Sequence, residues 1–114
     1  MAVTLTTLQS AGRGFINNAT SADASGGETI VASVAGKSHY IRSITIACVS
    51  AITVSIQYAS GSPIDFLGPI SFTATSGPVT VTYLEPVKII AGGTVLVDAS
   101  GVGAVSVVVQ GYTE

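Results

Sequence analysis

Apolar and polar residues alternate with a period of two through much of the chain. In ITVSIQY, Ile52, Val54, Ile56 and Tyr58 fall on one side and Thr53, Ser55 and Gln57 on the other. VTVTY repeats the pattern with Val79, Val81 and Tyr83, and PISFTA with Ile70, Phe72 and Ala74. AVSVVVQGY places Val105, Val107 and Val109 together, with Ser106, Val108 and Gln110 opposite. Successive side chains of an extended chain point to opposite sides, so this period predicts strands with one buried face. No apolar stripe at i, i+3, i+4, i+7 competes with it, and helices are not expected.

Two stretches are apolar on both sides. HYIRSITIACV carries Ile44, Ile46 and Cys48 on one face and Thr45, Ala47 and Val49 on the other, and TVLV carries Val95 and Val97 against Leu96. Such strands need cover on both faces, which two packed sheets with a partner or a crossing arm provide. Turn residues separate the runs: Gly36-Lys37-Ser38, Ser60-Gly61-Ser62-Pro63, Ser76-Gly77-Pro78, Glu85-Pro86, Gly92-Gly93 and Ser100-Gly101-Val102-Gly103. About eight strands follow, at 3–8, 29–34, 39–49, 52–59, 69–74, 79–84, 87–97 (with a break possible at Gly92-Gly93) and 104–112. The expected fold is all-β: one antiparallel β-sandwich, jelly-roll-like, with an immunoglobulin-like sandwich as the alternative.

Residues 10–28, SAGRGFINNATSADASGGE, break the alternation and read as a long loop or arm. The expected organisation is a strand plus arm over 1–28 and a sandwich over 29–114. Phe15 and Ile16 are the large apolar pair of that segment. They either anchor it on a neighbouring molecule or tuck into their own core.

Composition changes the picture mainly through charge. The 114 residues hold 9% charged side chains and a net charge of -2, against about 25% charged in an ordinary soluble domain. The basic residues are Arg13, Lys37, Arg42 and Lys88, spread along the chain. They make no patch for nucleic acid and no polybasic membrane anchor. No apolar run approaches the ~18 residues of a membrane helix, and the N-terminus lacks the basic start and apolar core of a signal peptide. A surface of Ser, Thr, Gly and Ala is easier to tolerate where partners cover it, so an assembled state is expected ahead of a hydroxyl-rich monomer. Leu96 and Val108, on the second faces of their strands, are then the candidates for contact with a neighbour.

Reactive groups are sparse. The single histidine, His39, opens a strand and is expected to serve there in a structural hydrogen bond. Cys48 lies in an apolar strand and reads as a small hydrophobe. Asp23, Glu28, Asp65, Glu85 and Asp98 are scattered, mostly at turns, and show no acid–base pair. Gly12-Arg13-Gly14 and Gly101-Val102-Gly103 read as turns, not phosphate loops. Asn18-Ala19-Thr20 is a chance sequon in the absence of a secretory signal. A sugar platform would rest on Tyr40, Tyr58, Tyr83 or Tyr112, and Tyr58 and Tyr83 lie on core faces. No catalytic residue, metal site or cofactor is expected.

The HYIRSITI strand, the approach PVKIIAGGTVLVDASG and the closing AVSVVVQGY give residues 36–112 a style. It resembles the small β-sandwich decoration, or cement, proteins of tailed-bacteriophage heads. That resemblance implies a non-enzymatic virion protein, made in the host cytoplasm and bound to the major capsid protein on the outer shell. It also implies a homo-oligomer, a trimer foremost, with residues 1–28 as the arm. A tail or head-fibre component, and a carbohydrate- or receptor-binding β-sandwich, are the competing expectations.

Overall fold

The computed structural model describes residues 14–114 and the backbone of residues 4–8. Among these residues the chain forms nine strands: β1 (Thr4–Leu8), β2 (Gly14–Ser21), β3 (Glu28–Val31), β4 (His39–Cys48), β5 (Thr53–Ala59), β6 (Ile64–Ser71), β7 (Val79–Lys88), β8 (Thr94–Ala99) and β9 (Val105–Thr113). They lie in two antiparallel sheets, of order β1-β2-β9-β4-β7 and β3-β8-β5-β6.

The pairings nest. β2 meets β9, β3 meets β8, β4 meets β7 and β5 meets β6. This is one long hairpin, turned at the β5–β6 connection and rolled up, so that β9 also reaches β4 and β8 also reaches β5. The result is the jelly-roll arrangement of two Greek keys.

The inner faces carry the alternating residues read from the sequence. Ile44, Ile46 and Cys48 of β4, Val54 and Ile56 of β5, Val95 and Val97 of β8, and Val105, Val107 and Val109 of β9 are all buried. Each fully buried aliphatic side chain of this kind contributes roughly 1.5–3 kcal/mol of transfer free energy. Gly111 lets β4 and β9 close at one point, since a Cβ there would collide with the Tyr40 carbonyl oxygen.

The expected arm needs correction. Gly14–Ser21 is not loop but a full strand, held between β1 and β9. Its inward residues are Phe15, Asn17, Ala19 and Ser21. Two of the four are polar, and that hides the strand from an apolar count. Asn17 is accommodated because its Nδ2 donates to the Ile30 carbonyl at 2.9 Å, tying β2 to the opposite sheet. Residues 9–13 of the expected arm, with Gly12 and Arg13 of the expected turn, lie outside the described residues.

Three further boundaries differ. The break allowed for at Gly92-Gly93 is present, with β8 starting at Thr94, but residues 87–88 belong to the preceding strand, β7, which runs on to Lys88. Glu85-Pro86 is not a turn between strands but part of an outward bulge within β7. β6 begins at Ile64, five residues before the expected start, and Phe72 is buried just past its end.

Candidate functional site

The outer face of the five-stranded sheet is ordered in rows by strand register. One row across β2, β9, β4 and β7 is Ile16, Gln110, Ser43 and Thr82. The next is Asn18, Val108, Thr45 and Thr80, with the Thr45 and Thr80 hydroxyls 3.0 Å apart. A third runs through Thr20, Ser106 and Ala47. None of these eleven positions is charged. They form a broad sheet face of hydroxyls, amides and short aliphatic side chains.

Charge enters at one end of that face. Tyr112 of β9, Tyr40 of β4 and Lys88 of β7 share a row. The two tyrosine rings stack with centroids 4.8 Å apart and planes 7° from parallel. The Arg42 guanidinium carbon lies 5.0 Å from the Tyr112 centroid, and the Lys88 ammonium 6.0 Å from the Tyr40 centroid. The cations lie within the range where the ring quadrupole attracts them. Each ring turns one face to the other, so the pair is a cation-flanked ladder and not an open platform for a sugar.

A recess of about 520 Å³ opens beside the ladder, lined by Arg42, Ser43, Thr82, Tyr83, Leu84, Pro86 and Gln110. Its origin is a double irregularity. Ile41 pairs with Val87 and Ser43 with Thr82, so Arg42 alone stands opposite Tyr83-Leu84-Glu85-Pro86. The extra length of β7 buckles outward. Leu84 at its crest is fully exposed. Tyr83 packs against the core; its hydroxyl is buried without a hydrogen-bond partner among the described residues, and desolvation pushes its pKa up.

The four residues expected at an interface separate. Ile16 and Val108 come together as diagonal neighbours on the uncharged face. Leu96 lies on the outer side of the other sheet, opposite Thr29 and Gln57. Phe15 points into the protein's own core, edge-on to the His39 ring at 5.8 Å.

His39 is buried with both ring nitrogens engaged, Nε2 at 2.7 Å from the Ala32 carbonyl and Nδ1 at 2.8 Å from the Thr113 hydroxyl. The carbonyl can only accept, so Nε2 is the donor, and in the neutral ring Nδ1 accepts from Thr113. This ties the β3–β4 connection and the end of β9 to the start of β4. Cys48 is buried in the core with Sγ 3.7 Å from the Ser50 carbonyl.

The carboxylates divide. Asp65 and Asp98 share the outer face of the four-stranded sheet, where Gln57 Nε2 donates to Asp65 at 2.8 Å. Burial, then the charge of Asp65, holds the Asp98 carboxyl above the ordinary carboxylate range. Asp23, in the β2–β3 turn, accepts from the Ser25 hydroxyl and amide, which lower its pKa. Among the described residues no group of three or more His, Cys, Asp or Glu is placed to hold a metal ion.

The fold and this face define a class: an all-β jelly-roll sandwich with one sheet face uncharged across three register rows. Set against known protein families, curated proteins and solved structures, the chain finds no match.

Proposed function

We propose that this protein is a non-enzymatic structural component of a tailed-phage virion, a decoration protein that binds the outer shell through the uncharged face of its five-stranded sheet. The observation that carries the reading is that face. Interface centres are depleted in charge relative to the rest of a protein surface, and here eleven register-aligned positions carry none. The resemblance of residues 36–112 to cement proteins supports the same reading. The major capsid protein is the proposed partner, with a homo-oligomer, a trimer foremost, as the binding unit. Many weak copies on one shell add up through multivalency.

The test is copy number in purified particles from the source, measured by mass spectrometry against the major shell protein. Hundreds of copies in simple ratio to the shell protein are expected. A few copies per particle would instead mean a tail, collar or fibre part, and absence from particles would overturn the structural reading.

A further inference from the structure

The recess between the bulges of β4 and β7 has features that the neutral face lacks. Its cation, Arg42, has no carboxylate within 4.0 Å among the described residues. Around it stand the Gln110 amide and the Ser43 and Thr82 hydroxyls, each able to donate a hydrogen bond. On the outer bank, Leu84 is wholly exposed on an edge strand. A fork of guanidinium donors held over a tyrosine ring is geometrically matched to a carboxylate. Arginine and tyrosine are enriched at the energetic centres of protein interfaces, and the exposed Leu84 beside them offers apolar area for a partner to cover.

We infer that this recess receives an acidic side chain, an Asp or Glu on an exposed loop, from the protein on which this chain docks. The carboxylate pairs with Arg42, Gln110 supplies a further donor, and Leu84 packs against the apolar part of the same loop. A polypeptide is favoured over an acidic sugar because the recess is open, its bank is aliphatic, and the tyrosine rings beside it are stacked on each other. The inference rests on the assembly reading for the identity of the partner, whereas the acid-binding chemistry belongs to the isolated chain and can be tested without particles.

The experiment is a titration of the isotope-labelled full chain, followed by amide shifts, with acetyl-Ala-Glu-Ala-amide, its Gln counterpart and sodium glucuronate at matched ionic strength. The Glu peptide is expected to give saturable shifts at Arg42, Ser43, Tyr83 to Glu85 and Gln110, at roughly millimolar affinity. The Gln peptide should give at least tenfold weaker binding, and added salt should weaken the Glu peptide. Arg42→Gln should lower its affinity at least tenfold and Arg42→Lys by less, because Lys keeps the charge but loses the fork. Arg42 is exposed, so neither variant threatens the fold. Equal shifts from the Gln peptide, no saturable shift, or binding unchanged in Arg42→Gln would overturn the inference. Tighter binding of glucuronate than of the Glu peptide would overturn it too, by making the recess a site for acidic sugars. Copy number in particles is independent of all these outcomes, so either reading can fail alone.

Discussion

Phe15 and Ile16 are adjacent in sequence and opposite in consequence. One faces the His39 ring inside the sandwich and the other faces outward beside Val108. Phe15→Ala is expected to cost about 3–5 kcal/mol in urea unfolding, the range for losing a buried aromatic. Ile16→Ala should cost under about 1.5 kcal/mol, since its side chain is only half-buried. Equal losses would mean that the two faces of β2 are not distinct. Asp98 gives a pH signature. Its carboxyl is raised by burial and by Asp65, so the folded state keeps that proton to higher pH than the unfolded chain does. Between the two pKa values the folded state binds more protons, and stability falls as pH rises through that window. Asp98→Asn removes the ionisation. It should raise the urea midpoint at pH 7, with the gain shrinking as pH falls through the raised folded pKa and gone below the unperturbed value of about 3.9. A gain that persists unchanged at low pH would point to packing instead.

At the level of strands, alternation was readable wherever the inner positions are aliphatic. β8 follows it residue by residue and β9 as far as Tyr112, whereas in β5 Ser55 is buried between Val54 and Ile56. β2 escaped because Asn17 and Ser21 occupy inward positions, and their acceptability depends on partners distant in sequence, such as the Ile30 carbonyl. The recess was half-legible. Within β4 the buried residues step from Ile41 to Ile44, three apart where a regular strand steps by two, and that slip marks the bulge. The matching excess in β7 was read as a turn at Glu85-Pro86, because register between strands cannot be seen in one of them alone. The uncharged face was likewise invisible, since its rows assemble from four strands. Its own test is Val108→Asp, at the middle of a row. The far-ultraviolet circular dichroism should stay β-rich and the melting temperature close to that of the parent, while occupancy on particles falls at least tenfold. Unchanged occupancy would remove the face from the interface.

Considered whole, the protein is held by contacts between distant parts of the chain: the pairing of β2 with β9 joins Gly14 to Tyr112. Topologies of this kind fold slowly, on millisecond to second timescales, because long loops must close before they are rewarded. β9 is the last of the described strands in sequence order, yet it lies inside the five-stranded sheet, between β2 and β4. A chain ending at Ala104 should therefore lack a cooperative unfolding transition, whereas loss of Glu114 alone should leave one. A cooperative transition in the shorter chain would show that β2 and β4 can close without it.

The central place of β9 also sets a timetable for synthesis. Until Val105–Thr113 has left the ribosome, β2 and β4 present hydrogen-bonding edges that β9 cannot yet fill. Those edges are templates for wrong pairing with other nascent chains. The sheet closes only once Val105–Thr113 is free to thread between two strands made much earlier. Crowding of nascent chains thus places this protein at its greatest risk before β9 is free to pair, and a chaperone that shields strand edges is expected to raise its yield.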